Sequence, residues 1–198
     1  MHAATFGLTP AERDLEAPGG QTTSLRTDGL SKTPVMYLDF TIDGDPLFSR
    51  LQAHVGGGLD FAGVIQDSWP IESVAAIERL LGEAPGDLPD GRLSLYTCPE
   101  CGDLGCGAVT ARLNLEDDVV TWQHLGWQAD YEDEISALCD GEAFPDLTFT
   151  RDSYERVLRE QLTRLRPTTA GFEYPDQWER RLRRGRRLSA VRRLFGRR

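Results

Sequence analysis

Three runs of alternating apolar and polar residues follow one another between positions 93 and 125. Residues 93–97, 108–115 and 119–125 each show the period of two that turns one side of a strand toward a core. Asp117 and Asp118 supply a turn between the second and third runs, so the three are expected to pair as an antiparallel meander. Residues 35–42 are rich in β-branched and aromatic side chains and stop at the turn pair Asp43-Gly44, which predicts another strand. A short strand is expected at 147–150.

Helical spacing marks three further segments. Leu47, Phe48 and Leu51 fall on one side of a short helix over 46–54, which Gly56, Gly57 and Gly58 interrupt. Val74, Ile77, Leu80 and Leu81 form a stripe over 71–81, ended by Gly82 and Pro85. Asp152 and Glu155 have the spacing of a helix-starting box. The helix they open is expected to run to about Leu165, with Tyr154, Leu158, Leu162 and Leu165 along one face. A helical turn is expected over 133–138, stopped at Asp140-Gly141.

These elements make an α+β fold: a short antiparallel β-meander packed with two or three helices. Residues 1–33 mix Thr, Gly, Pro and scattered charges without a period and read as a disordered leader. The single folded domain is expected over 34–166, and 167–198 form a linker and an Arg-rich tail.

Charge changes this picture at one end only. The formal net charge is −10 over 198 residues. Residues 180–198 hold ten Arg and no acid, so the rest of the chain carries −20. An acidic body with a basic tail suits a protein that meets another protein. Leu188, Val191, Leu194 and Phe195 share one side of a helix in the tail, a pattern able to touch nucleic acid or an anionic membrane. Arg outnumbers Lys 21 to 1 across the chain, a skew of the kind a GC-rich genome produces, and this weakens the functional reading of the tail. No apolar run approaches the ~20 residues of a membrane helix. The start lacks the features of a secretory signal, so a soluble cytoplasmic protein is expected.

Candidate chemistry is concentrated in one place. Cys98, Cys101 and Cys106, three of the four cysteines, lie within nine residues, interleaved with Gly102, Gly105 and Gly107. The two flanking strands would bring Cys98 and Cys106 together at the mouth of a hairpin loop. Reducing compartments disfavour structural disulfides, so clustered thiols there bind metal or do redox work. The spacing of Cys98 and Cys101 is that of a zinc half-site, and Cys106 adds a third sulfur. The fourth ligand is expected to be Cys139, with His124 and Asp103 as the other candidates. A thiol–disulfide or metal-dependent oxidoreductase using Cys98 and Cys101 is the enzymatic alternative. Against it, no helix follows Cys101 to lower a thiol pKa, and Glu100 and Asp103 would raise one. Inert, packed thiols are the remaining possibility.

Other signals carry less. Asp39, Asp43 and Asp45 lack the spacing of a calcium loop, Gly56-Gly57-Gly58 lacks the Lys and Ser/Thr of a phosphate loop, and no Gly-x-Ser-x-Gly elbow occurs. Trp69, Trp122 and Trp127 read as core or rim residues.

The segment from Tyr96 through Thr110, the Trp-containing strand after it, and Phe149, Tyr154 and Leu158 resemble a family of small proteins from high-GC bacteria built around this type of cysteine loop. The resemblance spans roughly residues 35–165. That family carries no established activity, so the resemblance implies none. The reading that emerges is a non-enzymatic cytoplasmic interaction or regulatory protein with a structural zinc at its cysteine cluster.

Overall fold

The computed structural model describes residues 3–13, 34–99, 101–139 and 142–174. Eight strands and three helices follow in the order β1 (Phe6–Arg13), β2 (Val35–Ile42), β3 (Asp45–Pro46), α1 (Leu47–Val55), β4 (Ala62–Gly63), α2 (Pro70–Leu80), β5 (Leu93–Thr97), β6 (Ala108–Leu115), β7 (Val119–Gln128), β8 (Leu147–Thr150) and α3 (Arg151–Thr169). This is an α+β fold with an antiparallel meander, as the pattern predicts.

Strands β4 to β8 pair in chain order as one five-stranded sheet, and β1, β2 and β3 form a second. The two sheets are stitched together at both edges. Ala4 bridges to Phe149 beside β8, and Leu38 of β2 bridges to Ile65 just after β4. The strands thereby enclose an aromatic cluster of Phe6, Phe40, Tyr96, Trp122, Phe149 and Tyr154, most of them in edge-to-face contact. Trp122 is fully buried, and its indole N–H donates to the Tyr154 hydroxyl, which donates in turn to the Leu80 carbonyl. Such a chain satisfies polar atoms that would be costly to leave unpaired in a core.

Local chemistry accounts for several boundaries. Asp43 and Gly44 both have positive φ, 55° and 89°, in the two-residue turn that pairs Ile42 with Asp45. That is the mirror-image turn whose twist matches a hairpin. Gly56, with φ of 76°, closes α1 by returning its N–H to the Ala53 carbonyl. Leu47, Phe48 and Leu51 of α1 are buried, and so are Tyr154, Leu158, Leu162 and Leu165 of α3.

Four expectations need correction. Residues 6–13 belong to the leader in the sequence reading, yet they form β1, paired along its whole length with β2. Gly7 and Pro10 weaken the local strand signal; the exposed edge of β2 and the burial of Phe6 override it. No helical turn forms at 133–138. Ser136 instead exchanges two backbone hydrogen bonds with Trp127, each 2.8 Å. Strand β8 pairs with β7 only from Val119 to Trp122, which leaves the far half of that β7 edge open for Ser136 to take. Helix α3 starts one residue before the expected box. Thr150 is its N-cap, and Glu155 pairs with Arg151 and Arg159 instead of reaching back. The helix also continues through Pro167 to Thr169, where the hydroxyls of Thr168 and Thr169 donate to the carbonyls of Leu165 and Arg166. Residues 14–33 and the Arg-rich segment 180–198 lie outside the described residues.

One buried acid makes stability depend on pH. Asp39 is 2% exposed and accepts the Tyr96 hydroxyl at 2.5 Å, and the backbone N–H groups of Phe40 and of Phe48, in the first turn of α1, also favour its charged form. Burial raises its pKa above the usual 3.8, against the lowering effect of those hydrogen bonds. The folded state therefore holds this proton more tightly than the unfolded chain. The stabilisation that follows is complete below 3.8 and is lost as pH rises through the folded-state pKa. In Asp39→Asn that slope is absent. Urea unfolding from acid to neutral pH is expected to show the wild type losing ground to the variant as pH rises; a constant difference would refute the assignment.

Candidate metal centre

The loop between β5 and β6 is built by its glycines and by Asp103. Gly102, with φ of 66°, donates its N–H to the Cys98 carbonyl. Asp103 Oδ1 accepts the Gly105 N–H at 2.8 Å and caps a single 3-10 turn over Leu104–Cys106. The Leu104 carbonyl accepts the N–H of Gly107 at 2.9 Å and of Asp130 at 3.3 Å, which ties the loop to the chain leaving β7. Gly107 has φ of 83° and ψ of 158°, a region closed to residues with a Cβ, and its Cα faces the Trp127 ring.

This backbone gathers three sulfur atoms. The Sγ atoms of Cys98, Cys101 and Cys106 all lie within 4.8 Å of one another, and Cys101 and Cys106 are 3.6 Å apart. Two thiolates sharing a tetrahedral zinc at about 2.3 Å would sit roughly 3.8 Å from each other. The Cys101–Cys106 edge already matches that spacing, and the other two, each within 4.8 Å, need at most a modest contraction. Cys101 and Cys106 are exposed and Cys98 is half-buried. The close contact with Cys101, and then the charges of Cys101 and Cys98, push the Cys106 thiol up to about 11. Crowding of like groups is the cause, and it is the condition a divalent cation relieves.

The proposed fourth ligands fare differently. Cys139 is half-buried and lies outside the group of mutually close donors. His124 is also outside it. It sits at a bulge in β7 with φ of 51°, and its N–H donates to Asp146. Asp103 spends one carboxylate oxygen on the Gly105 N–H and serves as the cap of the loop. Among the described residues the protein's own donor set is thus three sulfurs, one fewer than the closed zinc site the sequence suggests.

A cleft of about 330 Å³ adjoins the triad, and Cys98, Pro99 and Cys101 line it. Trp69, Glu72 and Arg79, from α2 and the turn before it, also line it, as do Asp87 and Ser94. Asp87 accepts both the N–H and the hydroxyl of Ser94, at 2.9 and 2.5 Å. Glu72 accepts the Tyr174 hydroxyl, and the Tyr174 ring packs on Trp69 at 5.6 Å. Sequence spacing gave no notice of this cleft, because its walls come from segments up to forty residues apart in the chain. No helix of the described residues is long and apolar enough to cross a membrane. No family model, curated protein or solved structure matches the chain.

Proposed function

We propose that this protein is a non-enzymatic interaction or regulatory protein organised around one zinc ion, held by Cys98, Cys101 and Cys106. The observation that carries the reading is the convergence of three sulfurs at near-ligand spacing in a loop shaped by glycines. Soft thiolates select zinc or another thiophilic metal over the hard cations. Bound metal fixes the loop from 98 to 107, and with it one wall of the cleft, so that metal loading controls the surface offered to another protein. The acidic body and the basic tail suit such a partner better than they suit a membrane.

Thiol–disulfide chemistry is the second reading. The 3.6 Å approach of Cys101 and Cys106 favours it, and this pair differs from the Cys98/Cys101 pair that spacing suggested. A redox nucleophile needs a lowered pKa, and the Cys106 thiol is moved the other way. Among the described residues of the loop, the helical turn is three residues long and ends, rather than begins, at Cys106.

Protein purified under reducing conditions is expected to carry about one zinc per chain by elemental analysis. Cys101→Ser is expected to weaken zinc binding at least about a hundredfold, beyond the 10–100-fold that loss of an outer-shell partner costs. At a metal concentration about a thousand times Kd, removing the ion with a chelator is expected to lower stability by about 4 kcal/mol. Metal-free protein that cycles between dithiol and disulfide, read as two hydrogen masses lost on oxidation, would instead support the redox reading.

A further inference from the structure

Three sulfurs leave a tetrahedral ion one position short, and an open position takes water or an incoming ligand. Two of those sulfurs belong to residues that line the cleft, so an ion held by the triad stands at its edge. The cleft, at about 330 Å³, lies at the small end of the ~300–1,000 Å³ typical of ligand sites. It suits a small molecule better than a folded partner.

The charged groups in the cleft are not equally free. Glu72 is engaged by Tyr174, and Asp87 by two donors of Ser94. Arg79 is 30% exposed, and its nearest acid among the described residues is Asp87 at 3.9 Å, beyond hydrogen-bond length. A guanidinium in that state is a ready acceptor-seeking fork for a carboxylate. Trp69, 38% exposed, adds an apolar face.

Resting on the zinc reading above, we infer that the cleft binds a small thiol that also carries a carboxylate. Its sulfur takes the fourth position on the metal at the triad, and its carboxylate meets Arg79. On binding, a metal–water bond breaks and a metal–sulfur bond forms. The thiol proton passes to solvent, and no electrons are transferred.

Cobalt(II) makes this testable, because its visible absorption reports the number and type of ligands. Reduced full-length protein loaded with cobalt is titrated with 3-mercaptopropionate, with 2-mercaptoethanol and with propionate. The expected result is a saturable change in the visible bands with 3-mercaptopropionate, at concentrations at least about tenfold lower than with 2-mercaptoethanol, since one charge-assisted contact is worth roughly that factor. Propionate alone is expected to leave the bands unchanged. In Arg79→Gln the preference for the carboxylate-bearing thiol disappears while the cobalt spectrum of the resting protein persists. Equal affinity for the two thiols, loss of cobalt from the protein on thiol addition, or an undiminished preference in Arg79→Gln overturns the inference. A cobalt–thiolate spectrum that no thiol alters overturns it while leaving the metal site standing. Absence of any cobalt–thiolate absorption overturns both.

Discussion

Replacing Gly107 by alanine is expected to cost about 4 kcal/mol and to pull the cysteine triangle apart in the same step. The backbone at φ of 83° and ψ of 158° is open to glycine alone, and a side chain there costs on the order of 1–3 kcal/mol. A new Cβ would also stand 2.2 Å from Trp127 Cζ2 and 2.3 Å from Cε2. An indole ring is not the loose end of a side chain, so either the ring or the loop must move, at about another 1–3 kcal/mol. The backbone of Trp127 is held by pairs to Ser136 and to Val109, so on that side only the ring can yield, and the loop, which lies outside the strand ladder, is expected to yield more. Cys106 is the residue before Gly107, so its sulfur leaves the triangle first. Gly102→Ala provides the contrast. Its φ is also positive, at 66°, but a Cβ there meets nothing within 4 Å, so the cost is about 1 kcal/mol from strain alone. Urea unfolding and zinc content of the two variants check the claim. Equal costs, or full zinc content in folded Gly107→Ala, would show that the loop tolerates the clash and that its shape does not set the site.

The triad was legible for the same reason that Gly107 matters: it is local. Cys98, Cys101 and Cys106 hang on one hairpin whose strands announce themselves by alternation, so proximity in sequence became proximity in space. Helix α1 and the buried face of α3 were legible by period, and the Asp43-Gly44 turn by its chemistry. What escaped the sequence depends on distant partners. Strand β1 has Gly and Pro in it and exists because β2 offers an edge. The segment around Ser136 has acids suited to a helix start, and an unpaired stretch of β7 claims it instead. The fourth ligand marks the limit of the local pattern: Cys139 is chemically the best match, but nothing in its spacing encodes where it lies relative to the triad. The cleft is the extreme case, since Trp69, Arg79, Asp87 and Ser94 become neighbours only after α2 packs beside β5.

Arg92→Ala is expected to cost about 4 kcal/mol, a large effect for one charged residue just ahead of β5. It is 2% exposed. Its Nε donates to Thr110 Oγ1 at 3.0 Å, and its Nη2 donates to the carbonyls of Thr110 at 3.0 Å and His124 at 2.5 Å. Those acceptors flank a bulge where Thr110 pairs with Gly126 but Arg112 pairs with Gln123, so that β7 carries an extra residue at His124. The left-handed His124, with φ of 51°, turns its carbonyl out of the ladder, and the guanidinium is what receives it. Burial lowers the pKa of Arg92, as does the nearby Arg112 charge, while Asp90 works in the opposite direction. The side chain nevertheless stays charged at any pH the fold survives. Removing it takes the donor from one buried and one partly buried carbonyl, at about 1–3 kcal/mol each, and leaves the bulge without its clamp. Arg92→Lys is expected to recover about half of the loss, because an ammonium in the place of Nη2 can meet the carbonyls of Thr110 and His124 but leaves Thr110 Oγ1 without the donor that Nε supplies. Unlike Gly107→Ala, the folded fraction of Arg92→Ala is expected to keep the capacity for the zinc proposed above, since the cysteine loop lies at the other end of β5. A cost under about 1 kcal/mol in urea unfolding would mean that water replaces the guanidinium at the bulge and that this buried charge is a spectator.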